Sequence, residues 1–174
     1  SPELSDKDRK LIDYLAKHQH LTPFEHNVLT VVVECPLYIR SQIMRHRTFA
    51  FNEISRRYSD ENISFYVPPE DDFRKQAIKN KQASEGRFDD VSGAMLADGM
   101  RDAISEAYGH YLGLLEAGVA REQARAVLPQ SLVTQFFMTG DLRNWAHFIK
   151  LRLDSHAQKE AQTVAQQVYQ IALE

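Results

Sequence analysis

The 174-residue sequence is 43% hydrophobic and 26% charged, with a formal net charge of −3. This composition indicates one globular domain and excludes a disordered chain. Apolar runs are only a few residues long, as at Val31–Val33, so no transmembrane helix is predicted, and the polar start Ser1–Lys10 does not resemble a cleavable signal. The single cysteine, Cys35, excludes an internal disulfide and favours a reducing, cytoplasmic location.

Short elements around one buried strand are predicted in the first third of the chain. The pair Thr22–Pro23 is typical of an N-cap followed by the first residue of a short helix. The β-branched run Val28–Cys35 predicts a buried strand. A helix is predicted over Leu37–Met44, opened by the preceding proline, and Ser64–Val67 has the composition of a further strand.

Residues 70–93 form a long polar segment with acidic runs at both ends. A polar connection of this length predicts an excursion or loop within the domain, a feature that is often a lid or a mobile insert. The spacing of Phe73, Ala77 and Ile78 predicts one helix within the segment, over Asp71–Gln82.

The best helical pattern in the chain runs from Leu96 to Leu114, where apolar residues recur at helical spacing, and Gly118 supplies its end. A short helix is predicted over Arg121–Leu128, with Pro129 ending it.

The C-terminal part predicts a strand over Leu132–Met138, a turn at Thr139–Asp141 and a helix striped from Leu142 to Leu153. Ser155 and Gln158 form a capping box that predicts the start of a final helix. Helices with a minority of strands place the fold in the α/β (mixed α+β) class, as helices around a small sheet.

The segment Arg40–Arg57 contains five arginines and a single acid, Glu53. Guanidinium groups bind phosphate oxygens through bidentate, charge-assisted hydrogen bonds, and a cluster of one sign is expected to face an anion. Varied polar residues lie among the arginines, including His46 and Ser55. The segment therefore predicts a site for a phosphate-bearing ligand, with a solvated basic face as the alternative.

Other kinds of site have little support in the sequence. No glycine-rich phosphate-binding turn is present, so side chains and helix ends are expected to hold any phosphate. The histidines His18, His20 and His26 do not have the spacing of a metal site, and none is predicted. Cys35 is expected to be a structural thiol and not a nucleophile. Ser55 suits phosphate binding better than acyl transfer.

One motif resembles the signature of the flavin-dependent thymidylate synthases. It consists of Arg45-His46-Arg47, then seven residues, then Ser55. The wider pattern continues through Asn52, Glu53, Arg57 and Tyr58. Two further stretches are similar to that family, His20–His26 and a discontinuous set from Ala124 to Ala157 that includes Arg125, Arg143, His147 and Arg152. The resemblance spans about residues 18–158 in the family's order.

The resemblance implies reductive methylation of dUMP to dTMP, with 5,10-methylenetetrahydrofolate as carbon donor, FAD as redox carrier and NADPH as reductant. It implies that no enzyme cysteine attacks the pyrimidine. It also implies a homotetramer whose active sites are shared between subunits. The expected partners are therefore small molecules and other copies of the chain, with no nucleic acid and no membrane.

Site residues follow from the resemblance residue by residue. The residues implied to bind dUMP are Gln42, Arg45, Glu53, Ser55, Arg56, Arg57, Arg125 and Arg152. The residues implied to contact FAD are Thr22, Arg45, His46, Arg47, Glu53, Asp141, Arg143, His147 and His156. Arg152 is the implied catalytic residue, because a fixed guanidinium beside the uracil would favour ionisation at N3.

The sequence departs from the family pattern at three positions. Ala50 stands where serine is usual, Arg56 where a small residue is common, and Asp141 where asparagine is frequent. Family members also carry an additional N-terminal stretch before the region that matches Leu11–His26, and residues 1–174 are expected to be a single domain of this family without it.

Two alternatives to the enzyme remain open at this point. A small nucleic-acid-binding protein would use Arg40–Arg57 as its contact with the phosphate backbone, and its binding would weaken steeply with salt. A family member that binds flavin or nucleotide without turnover is the other alternative.

Overall fold

The computed structural model describes residues 4–59, 62–81 and 83–173. The α-helices in these ranges are α1 (Asp6–Lys17), α2 (Leu37–Ile43), α3 (Asp90–Glu116), α4 (Arg121–Ala124), α5 (Leu142–Arg152) and α6 (Lys159–Leu173). The strands are β1 (Val28–Pro36), β2 (Ala50–Glu53), β3 (Arg74–Gln76), β4 (Ser84–Arg87) and β5 (Val133–Asp141). The predicted mixed α+β class is confirmed. Within the described ranges, no helix combines the length and apolar character needed to cross a membrane.

A three-stranded antiparallel sheet with the order β1–β5–β2 forms the centre of the fold. The ladder between β1 and β5 is continuous from Val28 opposite Asp141 to Pro36 opposite Val133. The predicted strand Val28–Cys35 is therefore confirmed. The predicted turn at Thr139–Asp141 is wrong, because these residues continue β5 and pair with the first residues of β1.

One face of the sheet carries the core and packs against α2, α5 and α6. Burial alternates along β1 and β5, as expected for a sheet covered on one side. Trp145 and Phe148 of α5 are fully buried, and the Trp145 indole donates to the Leu29 carbonyl at 3.1 Å. On the opposite face, Val28, Val32 and Phe137 are 67%, 55% and 54% exposed.

The Arg-His-Arg segment lies in a tight turn between α2 and β2. The predicted helix at Leu37–Met44 is confirmed as α2, whose Ile39 and Ile43 are fully buried. The His46 amide donates to the Ile43 carbonyl at 3.0 Å, and the buried Phe49 ring packs edge-on against Trp145. The turn is thus fixed at both ends. Strand β2, which follows it, was not predicted.

Several helix boundaries differ from those predicted. Helix α1 was not predicted at all, although Ser5 and Asp8 form a reciprocal capping box at its start. The short helix at Thr22–His26 is confirmed as a 3-10 helix, but Leu21 and not Thr22 holds the cap position. The final helix begins at Lys159, so the predicted capping box at Ser155 is wrong.

The predicted helix over Asp71–Gln82 is also wrong, and its last residue lies outside the described residues. Glu70–Asp72 forms one 3-10 turn, after which β3 and β4 pair as a hairpin. The Gln76 amide donates across the hairpin to the carbonyls of Lys81 and Ala83, at 3.1 and 3.0 Å. These side-chain bonds give the backbone an alternative to helical pairing.

The remaining helix predictions hold with small changes, but the predicted strand at Ser64–Val67 is wrong. Helix α3 contains the predicted pattern, and Gly118 follows it with a φ of +84°. The predicted short helix at Arg121–Leu128 is confirmed as α4 with a 3-10 continuation. The strand predicted at Ser64–Val67 is reduced to one bridge, from Phe65 to Leu132. The helix predicted from Leu142 is confirmed as α5.

We expect Gly140→Ala to destabilise the fold by about 1–3 kcal/mol, as overpacking of a dense core does. An added Cβ at Gly140 would lie 2.4 Å from a carbon of the buried Phe49 ring. Gly109→Ala in α3 is the matched control, because no atom lies within 4 Å of its added Cβ, and it should stabilise by up to about 1 kcal/mol. Urea unfolding measures both. Equal stability of Gly140→Ala and the original chain would contradict tight packing at this contact.

Candidate functional site

The first group of implied site residues lines a cavity of about 630 Å³ between α2, β2 and α4. Its walls include Glu53, Ser55, Arg56 and Arg125, which belong to the implied dUMP set. Apolar walls come from Leu37, Leu128 and Leu132, among others. The cavity therefore combines cations, a carboxylate and a hydroxyl with an apolar floor, as ligand sites commonly do.

Glu53 is the most firmly held polar residue of this cavity. Arg40 donates from Nε to Glu53 Oε2 at 3.0 Å, and its Nη2 also contacts that oxygen. The hydroxyl of the buried Thr134 donates to the other oxygen, Oε1, at 2.8 Å. Arg40 belongs to the predicted arginine cluster, but its pairing with Glu53 was not predicted, and Thr134 was not singled out from the sequence. These partners come from α2 and β5, and their pairing depends on how the chain folds.

Glu122 of α4 is a second carboxylate at this cavity, and it was also missed. Arg57 Nη2 lies 3.3 Å from Glu122 Oε2, and Arg125 Nε donates to the Glu122 carbonyl at 3.4 Å. Arg57 and Arg125 thus both contact Glu122. Arg56 is buried, and its Nη2 donates to the Asn62 carbonyl at 3.3 Å. The spacing of Glu122 and Arg125 by three residues on one short helix was the signal available in the sequence.

The second group surrounds Arg152 at the end of α5. Arg152 Nε donates to His46 Nε2 at 3.0 Å, and Nη2 donates to the Gln42 carbonyl at 2.8 Å. The Gln42 side chain bonds to Gln158. Three of the implied residues, Gln42, His46 and Arg152, therefore meet in space, although Arg152 lies 110 and 106 residues after the other two.

The Arg152 contact requires His46 to be neutral, because only an unprotonated Nε2 accepts a hydrogen bond. Burial, Arg152 and His147 together lower the pKa of His46 to about 4. The ring also packs edge-on against Phe148 at 4.9 Å between centroids. Burial likewise lowers the pKa of Arg152. At neutral pH, a neutral imidazole therefore orients the Arg152 guanidinium.

The third group lies in a cavity of about 890 Å³ between the end of α1, the 3-10 helix Thr22–His26 and α5. Arg143, His147 and Lys150 line it together with apolar residues such as Leu21 and Phe24. Arg143 forms an ion pair with Glu25. Arg143 and His147 belong to the implied FAD set, and Thr22 lies in the adjoining 3-10 helix. Lys150 was not singled out from the sequence.

The departure Asp141 has a local structural explanation. Its carboxylate caps α5, accepting from the Asn144 amide at 2.8 Å and from the Asn144 side chain at 2.6 Å. A negative charge at a helix N-terminus is favourable because it meets the positive end of the helix dipole. Asp141 therefore stabilises the N-terminus of α5.

The other implied residues lie apart from these groups. His156 borders a third cavity of about 530 Å³ beside the β3–β4 hairpin, and its ring contacts Asp154 at 2.8 Å. The side chains of Arg45 and Arg47 are exposed on the turn before β2. Within one chain, the implied residues therefore fall into separate groups and do not line a single cavity.

Cys35 is buried, and burial followed by the charge of Glu53 raises its pKa to about 12. The thiolate is therefore negligible at neutral pH, which fits the structural role predicted for it. Across the part of the chain that the structure describes, no cluster of three or more His, Cys, Asp or Glu residues is arranged to hold a metal ion.

Arginines that line a cavity supply guanidinium groups, which can bind phosphate oxygens through bidentate hydrogen bonds. The sequence model of the family described as thymidylate synthase complementing protein matches residues 2–174, and the chain belongs to this family.

Curated relatives carry the name flavin-dependent thymidylate synthase. The protein from Thermus thermophilus is 48% identical over 168 residues, which cover 97% of this chain and 60% of that protein. The protein from Thermosipho africanus is 44% identical over 160 residues, covering 92% of this chain and 69% of that protein. The chain thus spans about three fifths of the Thermus relative's length.

Solved structures of a UMP/dUMP methylase, PolB from Streptomyces cacaoi, share this fold. The structure bound with 5-Br UMP has a TM-score of 0.89 and 35% identity, covering 97% of this chain and 78% of that one. The structure bound with 5-Br dUMP has a TM-score of 0.86 and 35% identity, covering 98% and 77%.

We expect His46 to make stability depend on pH in a defined window. Its folded-state pKa of about 4 lies below the ordinary histidine pKa of 6.5, so between these values the unfolded chain binds a proton that the folded chain does not. Stability is therefore lost as the pH falls from 6.5 to 4, by up to about 1.4 kcal/mol per pH unit. The measurement is urea unfolding at several pH values for the original chain and for His46→Gln, which lacks this titration.

His110→Gln serves as the control, because His110 is exposed on α3 and its loss should leave the pH dependence unchanged. Parallel stability curves for the original chain and His46→Gln between pH 4 and 6.5 would contradict the neutral, buried state of His46.

Proposed function

We propose that this chain functions as a flavin-dependent thymidylate synthase, which converts dUMP to dTMP in the cytoplasm. Methylenetetrahydrofolate is the carbon donor, FAD the redox carrier and NADPH the reductant. The observation that carries the proposal is the meeting of Arg57 and Arg125 at Glu122, beside Glu53 and Ser55. Family membership and the names of the relatives support the same reaction.

In this proposal, the nucleotide phosphate replaces the Glu122 carboxylate at Arg57 and lies beside Arg125, whose Nε now donates to the Glu122 main-chain carbonyl. A phosphate presents more acceptor oxygens than a carboxylate and suits the guanidinium fork. The contact between Arg57 and Glu122 is exposed and 3.3 Å long, so its loss costs little free energy. The exchange therefore requires little rearrangement, and Ser55 supplies a hydroxyl donor at the same cavity.

Arg152 is the residue that we propose stabilises negative charge on the uracil ring. Two neutral acceptors, His46 Nε2 and the Gln42 carbonyl, hold the guanidinium without cancelling its charge. A cation that is oriented in advance lowers the cost of ionisation at N3, because no reorganisation is needed at that moment.

The residues around the cavity of about 890 Å³ fit the FAD group. Its apolar residues, including Leu21 and Phe24, suit a planar ring, while Arg143 and Lys150 supply cations for phosphates. When bound, FAD supplies the redox step in which reducing equivalents pass to the pyrimidine. Arg143 and His147 would hold the cofactor. The 3-10 helix Thr22–His26, which borders the cavity, would limit access of water.

We also propose that the active site is assembled in a homotetramer. The implied residues form separate groups within one chain, so a complete site needs neighbouring copies. Helix α1 has no buried residue although Leu11 and Tyr14 are apolar, and the outer face of the sheet exposes Val32 and Phe137. Apolar faces of this kind mark interaction surfaces.

The nucleic-acid alternative is not favoured by the arrangement of the arginines. Arg40 and Arg57 are engaged by Glu53 and Glu122, and Arg56 is buried. The cluster therefore does not present one continuous basic face for a phosphate backbone.

The test is a thymidylate assay on the purified chain with dUMP, methylenetetrahydrofolate, FAD and NADPH. We expect a yellow protein and the formation of dTMP that depends on all four. Flavin binding and dUMP binding without any dTMP would instead indicate a member that does not turn over. A colourless protein that takes up no FAD and retards oligonucleotides would overturn the proposal.

We expect Arg152→Ala to reduce turnover by about 10²–10³-fold, the usual cost of removing one preorganised donor to a developing charge. The fold should survive, because the residue lies at a helix end and is only partly buried. Steady-state kinetics with circular dichroism measure both properties. Arg152→Lys keeps the charge but lacks the planar guanidinium, so its turnover should lie between those of the original chain and Arg152→Ala. Unchanged turnover in Arg152→Ala would reject this role.

We expect Arg57→Ala to weaken dUMP binding by roughly 1.5–3 kcal/mol, the range for a hydrogen bond to a charged group. Isothermal titration calorimetry provides the affinity. The matched control is Arg101→Ala on α3, because Arg101 also pairs with carboxylates, Asp98 and Glu70, but neither partner lines the cavity, whereas Glu122, the partner of Arg57, does. An affinity for dUMP that is the same in both variants would remove Arg57 from the phosphate site.

A further inference from the structure

Glu53 is held on both carboxylate oxygens by residues that the proposed function does not use. Arg40 binds Oε2 and Thr134 binds Oε1. All three residues line the cavity of about 630 Å³. A carboxylate that is bonded on both oxygens keeps one orientation, because rotation about its last bond would break one of the two contacts.

We propose that Arg40 and Thr134 are positioning residues of the nucleotide site, which act by fixing the Glu53 carboxylate in the cavity wall. The inference rests on the proposed function, in which Glu53 belongs to the dUMP site. It adds two residues outside the set that the family resemblance supplies, and it states how they act.

The elements around this contact are rigid. Thr134 is buried on β5, two residues from Phe136, which pairs with Glu53 across the sheet. Arg40 lies on α2 next to the fully buried Ile39. Sites built on packed helices and strands hold side chains more closely than sites on loops. The positions of both donors are thus set by the core.

Charge gives the contact between Arg40 and Glu53 a second effect. The side chain of Glu53 is 21% exposed, so its charge is only partly screened by water. An uncompensated carboxylate there would repel a nucleotide phosphate. Arg40 offsets that charge and leaves Glu53 able to accept a hydrogen bond from the ligand. Removing Arg40 should therefore weaken nucleotide binding through Glu53.

A double-mutant cycle on the full chain tests this coupling. The variants are Arg40→Met, Glu53→Gln and the double variant, with dUMP affinity measured by calorimetry and thermal stability measured in parallel. We expect Arg40→Met to weaken dUMP binding about tenfold in the original chain and by less than twofold in the Glu53→Gln background. Arg101→Met is the matched control, and its dUMP affinity should be unchanged.

Thr134→Val provides an independent variant that keeps the charges and the side-chain shape. It removes only the bond to Oε1, and we expect it to weaken dUMP binding by about threefold. Because this loss also acts through Glu53, it should disappear in a Glu53→Ala background, which leaves the Thr134 hydroxyl no side-chain acceptor at this position. Thr134→Val keeps the inference testable if Arg40→Met does not fold.

Two outcomes would overturn this inference and leave the proposed function standing. Equal weakening by Arg40→Met in both backgrounds would mean that Arg40 contacts the ligand itself. Unchanged dUMP affinity with lowered thermal stability would mean that the contact only supports the fold. If the original chain does not bind dUMP at all, the proposed function fails, and the positioning role fails with it.

Discussion

Two fully buried isoleucines anchor the short helix α2, and this anchoring sets the directions of the polar residues around it. Ile39 and Ile43 lie one helical turn apart and pack into the core beside α6. Arg40 and Gln42 lie between them, and residues two positions apart on a helix do not share a face. The Arg40 side chain reaches Glu53 of strand β2, whereas the Gln42 side chain bonds to Gln158. Packing of α2 therefore divides a continuous polar segment between two places in the fold.

The charge balance of the arginine cluster depends on residues that are distant in sequence. Counting along the segment gives five arginines and one acid, which suggests a strongly basic patch. In the fold, Glu122 approaches Arg57 from 65 residues away, and Glu25 pairs with Arg143 over 118 residues. Two of the five cluster arginines, Arg40 and Arg57, are thus paired with carboxylates when no ligand is bound, while Arg45 and Arg47 are exposed. An entering anion can exchange with the Glu122 carboxylate at the surface.

Elements with one strongly buried face were predictable from the sequence, and elements defined by their partners were not. The strand at Val28–Cys35 and the stripe of α5 follow from burial, which imposes a period on apolar residues. Helix α3 was predicted from the same kind of pattern, although only Gly93, Ala97 and Tyr111 of its 27 residues are buried. Helix α1 has no buried residue, and its signals in the sequence were the capping box of Ser5 and Asp8 and the helical spacing of Leu11 and Leu15. Strand β2 has only four residues, and it is defined by its backbone pairing with β5, which the local sequence does not show. The apparent turn signal at Gly140 reflects the packing of the Phe49 ring against a residue without a side chain.

The site residues show the same division between local signals and tertiary pairing. The resemblance supplied Gln42, His46 and Arg152, and the fold brings these three together. The contacts of Arg152 differ in kind from those of Arg57 and Arg143. Arg152 is held by neutral acceptors, whereas the other two arginines are held by carboxylates. An arginine paired with a carboxylate suits a ligand that is always anionic, since one anion replaces another. An arginine that keeps its charge unbalanced in a partly buried place suits a ligand that becomes negative only during reaction, because the attraction then acts on the transition state more than on the ground state.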